Sequence, residues 1–302
     1  MFLFAESHEA EPLIVEFINH YVGEPVHHFQ VTYTEPLWNK YVFSKFGTTA
    51  AQVFGGPYTV ENAVPWYTIM FVIACLLTIF VVYLLKGKLS GDDPKSGQLT
   101  LEAGVLAVKN MISTIIGDHG GRHFPVVATF GILILVSNLM GQFPLFKSPT
   151  ASVNVTFALG VSSFVYYNYV GISENGLAKH IGHFAGPKLP FVMALIITPL
   201  IFSIEVISST IRPFTLGVRL FANMFSDEKV FAEITNIAPP FTHFIVPLVL
   251  TLLGVFVAFV QAFVFTLLSM IYIGEVSHAP HDDHDEEHVH DDAHGEAIAA
   301  LA

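Results

Sequence analysis

Two arginines, Arg212 and Arg219, interrupt a long apolar stretch, and around them Glu205, Ser208, Ser209, Asn223 and Asp227 recur at intervals of 3, 4 and 7 residues. On a helix that spacing returns to one face, with Glu228 one residue further round. A second apolar stretch carries Gln261, preceded by Gly254 and Ala258, and ends at Glu275. Small residues one and two turns before an amide leave room for close helix approach. A guanidinium keeps its charge at any attainable pH. It cannot escape the cost of hydrocarbon, which starts near ~3 kcal/mol at a bilayer centre. An arginine kept there is expected to face a cavity or a partner, not lipid. Carboxylates relay protons when burial favours the neutral acid. The chemistry open to such a set is proton passage along a polar track, with a fixed positive charge at depth and carboxylates toward either end. The structural alternative is an ion pair between Glu205 and Arg212, interhelical amide bonds from Asn223 and Gln261, and serines bonded back to their own helix. Asn138 and Asn154, beside Gly and Pro punctuation, read as buried packing amides.

The elements that must position this track are membrane helices. The chain has 302 residues, 53% hydrophobic and only 13% charged, with mean hydropathy +0.59. That is the profile of a polytopic membrane protein. Ala63–Leu85, His123–Phe146, Ser148–Ser173 and Ile234–Ile273 contain no Asp, Glu, Lys or Arg, and Leu189–Ile204 is clean until Glu205. A span needs roughly 20 apolar residues, so five or six fit. Residues 99–117 differ: Leu99, Val105, Leu106, Met111, Ile112 and Ile115 recur at helical spacing with Glu102, Lys109 and Asn110 between them. They predict an amphipathic helix lying on a membrane surface or on a partner. Phe241–Gly274 is 34 residues, about 51 Å as a helix at ~1.5 Å per residue, against a hydrocarbon core of about 30 Å. Residues 190–236 exceed that thickness further. Pro199 and Pro213 allow kinks, and Pro239-Pro240 marks a turn. The expected fold is an all-α polytopic membrane protein of about five transmembrane helices plus one amphipathic surface helix. Its last two helices are long and strongly tilted, a hairpin packed along a curved neighbour.

The expected division is an N-terminal extramembrane segment at 1–62, a membrane domain at 63–276 and a tail at 277–302. The net charge of −12 sits largely in that tail, where six histidines lie among eight acidic residues. The series lacks a fixed donor geometry, so it reads as disordered and no metal site is assigned. Cys75 is the lone cysteine, which excludes a disulfide within the chain. The start, Met1-Phe2-Leu3-Phe4-Ala5-Glu6, has no basic region, so a cleaved signal peptide is not expected. His119, His123, His180 and His183 read as loop-borne and receive no role. Loops 86–122 and 171–189 carry seven Lys and Arg against four on the other side. Basic loops stay cytoplasmic, which puts the N-terminus outside and the C-terminal tail inside. Nucleic-acid binding and soluble catalysis have no scaffold here, and no cofactor is expected.

The stretch Ile211-Arg212-Pro213-Phe214-Thr215-Leu216-Gly217-Val218-Arg219-Leu220-Phe221-Ala222-Asn223-Met224 closely resembles the "RPxxLxxRLxxNM" signature of subunit a from the membrane (Fo) sector of F-type ATP synthases. Phe124-Pro125 followed by Ser137-Asn138-Leu139-Met140-Gly141-Gln142-Phe143-Pro144 is similar to the family's second span. Pro149-Thr150-Ala151-Ser152-Val153-Asn154 resembles its "PTAdxN", and Gln261-Ala262-Phe263-Val264-Phe265 its "QAfvF". The resemblance covers about residues 60–275.

It implies a proton-translocating stator facing a rotating ring of subunit c. Subunit b of the peripheral stalk and the rest of the complex are the other partners, and no nucleotide is bound by this chain. The family's essential arginine falls on Arg219, its partner glutamine on Gln261, and its half-channel polar residues on Glu205, Ser208, Asn223 and Glu228. Three positions depart from the pattern. Ser152 stands where many members carry aspartate. Asp227 stands where glycine is common, with Gly254 opposite it where some members carry histidine, which looks like a size-and-charge exchange between two helices. Lys229 is unexpected so close to the track. The implied location is a bacterial inner membrane, with a thylakoid membrane as alternative. Two rival readings exist: a stand-alone secondary ion/proton antiporter, which predicts an inverted repeat that the sequence does not display, and a structural membrane anchor within a respiratory complex, which has no need of a deep arginine.

Overall fold

The molecule is all-helical through its described residues, 12–41, 43–48, 63–87, 95–143, 145–183, 191–237 and 242–277 of a computed structural model. Eight α-helices are used below: α1 Leu13–Phe29, α2 Glu35–Tyr41, α3 Trp66–Lys86, α4 Ser96–Ile115, α5 Phe124–Met140, α6 Val153–His183, α7 Phe191–Ile237 and α8 Thr242–Ser277. Five segments are long and apolar enough to cross a membrane: Trp66–Lys86, Gly120–Met140, Val153–Glu174, Ile197–Val230 and Pro247–Ser277. The chain is a polytopic membrane protein of the expected class. Its outward faces are apolar, as hydrocarbon solvent requires: Leu76, Ile79 and Phe80 on α3, Leu252, Phe256 and Phe259 on α8.

Local sequence sets the helix ends. Pro65 caps α3 and Pro125 lies in the first turn of α5, where the missing N–H has no helical partner anyway. The helix α3 stops at Gly87, whose φ of +51 suits glycine. The amphipathic helix α4 forms as the spacing predicted, and its Ile112 packs with Val127, Tyr167, Met270 and Ile273 of the spans.

Two features depart from the sequence reading. Residues 171–183 were expected in a loop, but α6 runs to His183 and is interrupted only at Gly176 (φ +75, ψ 155). His180 and His183 therefore fall within a helical extension. The N-terminal segment, for which no element was expected, carries α1, a π-helical segment Gln30–Thr34 and α2. It docks on the start of α3: Asn19 Nδ2 donates to Val64 O and the Val64 N–H donates to Asn19 Oδ1, both 3.2 Å, while Gln30 Nε2 donates to Ala63 O at 2.9 Å. The tail from 278 onward, Gly55-Gly56-Pro57 and the Pro239-Pro240 turn lie outside the described residues.

The core that fixes α7 is its crossing with α6. A Cβ added at Gly160 would stand 2.5 Å from Pro213 O, and one at Gly217 would stand 2.9 Å from Thr156 O. The two backbones touch where these glycines lie, the small-residue contact that substitutes for hydrophobic driving force in lipid. Above and below it, Val155, Leu159, Leu216 and Leu220 share one buried cluster with Ile134, Ala262 and Phe265. Gly160→Val should separate α6 from α7 and destabilise the assembled protein by about 1–3 kcal/mol, the usual cost of overpacking. Gly104→Ala, inside α4 where an added Cβ meets nothing within 4 Å, should not destabilise and should add up to about 1 kcal/mol through helix propensity. Thermal unfolding of the detergent-solubilised complex compares the two.

Candidate functional site

Helical periodicity divides α7 into three strips. Ser209, Pro213, Leu216, Gly217, Leu220 and Met224 are buried. Ile204, Ile207, Ile211, Phe214 and Val218 are exposed and apolar. Between these strips run Glu205, Ser208, Arg212, Arg219, Asn223 and Asp227, on the flank of the buried strip. The 3, 4 and 7 spacing therefore yields a continuous polar stripe along one edge of the helix.

Arg219 lies at its middle, seven residues from Arg212 and eight from Asp227, or about 10–12 Å from each along the axis. Its side chain is exposed, and among the described residues it has no hydrogen-bond or ion-pair partner. Gln261 on α8 is buried, 8% exposed, and its amide likewise makes no hydrogen bond within the described chain. Leu220 and Ala262, the chain neighbours of Arg219 and Gln261, pack in one cluster. The two groups thus sit at similar depth on adjoining helices. Ser208 and Asn223 are half-buried and carry no hydrogen bond either.

Both ends of the stripe are different, because there the polar groups are matched. At one end Arg212 meets Glu275 of α8 through both arms of its fork, with Nη2 donating to Oε1 at 3.0 Å and Nη1 to Oε2. Glu205 stands 3.7 Å from Nη2, and the Tyr272 ring centroid lies 5.3 Å from the guanidinium carbon. The expected pairing of Arg212 with Glu205 is therefore the weaker of two, and Glu275 is the principal partner. Ser209, buried, shares a 3.0 Å hydrogen bond with the Tyr167 hydroxyl of α6.

At the other end Asp227 Oδ2 accepts from Gln142 Nε2 at 3.0 Å. Gly254 leaves the room for that contact: a Cβ there would lie 2.5 Å from Gln142 Oε1 and 2.7 Å from Asp227 Oδ2. Glu228 Oε1 accepts the Ser148 N–H at 3.1 Å. From Ser148 a buried chain continues, Ser148 Oγ to Thr150 Oγ1 at 2.7 Å and Thr150 Oγ1 donating to Asn138 Oδ1 at 2.6 Å. Asn138 is fully buried with Nδ2 unsatisfied. Asn154, read as buried, is instead exposed on α6, because it falls on the face of α6 away from the core. Lys229 turns back along its own helix, with Nζ 5.6 Å from the Phe225 ring centroid.

One polar group escaped the sequence reading. His123, expected in a loop, is buried at 4% exposure; its Nδ1 lies 3.0 Å from the Tyr166 hydroxyl and its Nε2 3.5 Å from Glu174 Oε1, which also pairs with Arg122 at 2.9 Å. Its partners are 43 and more residues away, and no local pattern announces them.

Comparison with known proteins agrees with the resemblance drawn from the motifs. Residues 68–274 match the family described as ATP synthase A chain. The chain is 41% identical over 212 residues to "ATP synthase subunit a 3" of Pelobacter propionicus, covering 70% of this chain and 86% of that protein. It is 43% identical over 201 residues to "ATP synthase subunit a" of Geotalea daltonii and 40% over 202 residues to that of Geobacter sulfurreducens, each alignment covering 67% of this chain and 82% of the relative. With the family match reaching across all five membrane-length segments and the whole polar stripe, the chain belongs to the ATP synthase A chain family.

Proposed function

We propose that this chain is the proton-translocating stator subunit of a rotary ATP synthase, presenting Arg219 to the carboxylates of a rotating ring of subunit c. The observation that carries the reading is the unmatched guanidinium. Arg219 stands in the apolar segment Ile197–Val230 without a counter-ion among the described residues, between two ends whose polar groups have partners. A permanent cation in such a place needs an anion from outside the chain. An acidic group moving past on a neighbouring ring supplies it intermittently.

Two half-channels follow from the stripe. The Asp227, Glu228 and Asn223 end opens outward and the Glu205, Ser208 and Arg212 end opens to the cytoplasm, with the N-terminus outside and the C-terminus inside as the lysine balance directs. A proton entering from outside neutralises a ring carboxylate, which can then turn into lipid because it carries no charge. After nearly a full turn it meets the cytoplasmic half-channel and ionises. Arg219 favours the ionised form by charge attraction and bars direct passage between the half-channels. Gln261 shares its depth and offers an amide with unfilled donors. The membrane potential contributes about 2.3 kcal/mol per charge per 100 mV, which rotation passes to nucleotide chemistry on other subunits. The location is a bacterial inner membrane, consistent with the bacterial relatives. Subunit b and lipid cover the remaining membrane faces.

Arg219→Ala should lower ATP-driven proton pumping in inverted vesicles by more than about tenfold, the effect of as little as about 1.4 kcal/mol, while Arg212→Ala is milder. Coupled pumping retained without Arg219 would overturn the reading. A second expectation concerns the outer end. Gly254→Ala should displace the Gln142–Asp227 contact and reduce pumping, and Gln142→Ala, which removes the same contact, should reduce it to a similar degree. Equal pumping by Gly254→Ala and wild type would remove Asp227 from the route.

A further inference from the structure

Arg212 has one planar fork and two carboxylates beside it. Glu275 occupies both arms, with Nη2 to Oε1 at 3.0 Å and Nη1 to Oε2. Glu205, on the same helix as Arg212, makes only the looser approach of 3.7 Å to Nη2 and no hydrogen bond to it. Tyr272, three residues before Glu275 on α8, sits under the guanidinium. The Tyr167 hydroxyl of α6 is committed to Ser209, so it does not serve Glu205. The charged and titratable groups facing Glu205 are thus Arg212 from its own helix and Glu275 and Tyr272 from α8, with Tyr167 behind Ser209.

Bidentate guanidinium–carboxylate pairs use parallel N–H···O bonds and are the strong members of their class. A carboxylate seized in that way has both oxygens committed to N–H donors. Two carboxylates therefore compete for one fork, and the loser is the one whose oxygens stay open to other partners. The geometry makes Glu275 the winner.

We propose that Glu275 is a positioning residue for proton transfer: by filling the fork of Arg212 it keeps the guanidinium off Glu205, leaving Glu205 free to exchange protons at this mouth of the track. The inference rests on the reading of Glu205 as a half-channel group. In the synthesis direction a ring carboxylic acid gives its proton, directly or through water, to the Glu205 carboxylate. The ring group is left as a carboxylate, and protonated Glu205 passes the proton to bulk water. Nothing is transferred to Glu275 or Arg212.

The test is ATP-driven proton pumping by the assembled complex in inverted membranes, with ATP hydrolysis as the measure of assembly. Glu275→Gln should cut pumping by about threefold or more, because Arg212 then captures Glu205. Glu275→Asp should pump like wild type. The decisive chain is the double variant Arg212→Gln/Glu275→Gln, which should pump about twofold or more better than Glu275→Gln alone, a coupling opposite in sign to the additive loss expected of two structural contacts. A double variant as poor as Glu275→Gln overturns the proposal, as does an undisturbed Glu275→Gln. If Glu275→Gln does not assemble, the double variant decides alone: restored assembly with coupled pumping supports competition, and failure to assemble or pump overturns it. Failure of the underlying proton-channel reading is separable, since it appears as pumping retained in Arg219→Ala.

Discussion

A guanidinium in a low-dielectric layer can neither lose its proton nor be ignored, and the architecture of this chain is arranged around that constraint. Burying Arg219 inside the bundle with a fixed acid would neutralise it permanently. Leaving it toward acyl chains costs several kcal/mol. The third solution is adopted: the residue lies on the flank of α7, next to the buried strip yet outside it, without a hydrogen-bond or ion-pair partner among the described residues. The helices behind it then have one mechanical duty, which is to hold that flank at a constant depth and orientation.

Glycine and hydroxyl chemistry perform that duty better than bulk. Hydrophobic attraction between helices is weak in lipid, where tails are as apolar as leucine, so close backbone contact must replace it. Gly160 against Pro213 and Gly217 against Thr156 bring α6 and α7 together, and Gly131 does the same for α5 and α8, where an added Cβ would stand 2.9 Å from Thr266 Oγ1. Ser163 and Ser269 share a 3.0 Å hydrogen bond across α6 and α8. These contacts fix rotation as well as distance, because one hydroxyl pair is lost if either helix turns by a single residue step.

The spans and the stripe were legible because each rests on a one-dimensional signal. Charge-free windows of membrane length identify spans whatever their partners are, and the run from Glu205 to Asp227 needs only helical periodicity to fall on one edge. What periodicity cannot supply is the choice between competing partners. Glu205, seven residues from Arg212, was the local candidate, yet Glu275, 63 residues away, holds the fork, because the crossing of α7 with α8 decides the distance. Asn154 carries the same lesson in reverse, since an apolar neighbourhood in sequence did not tell which face of α6 it occupies. The N-terminal helices were hidden for another reason: Gly23 and Pro25 lie within α1, lowering its intrinsic propensity, and its anchors are backbone groups of Ala63 and Val64, which no side-chain pattern encodes.

The contrast between the matched ends of the stripe and its unmatched centre bears on how a static frame can serve a moving partner. A carboxylate held by backbone and amide donors, as Glu228 is by Ser148 and Asp227 by Gln142, has its position set by the segment that carries those donors. A cation held in the same way at the centre would be closed to a partner from outside the described residues, since its internal bonds would first have to break. Among the described residues, the unsatisfied donors of Arg219 and Gln261 are thus the counterpart of the satisfied acceptors at either end: the ends of the stripe are matched within the chain and its centre is left open.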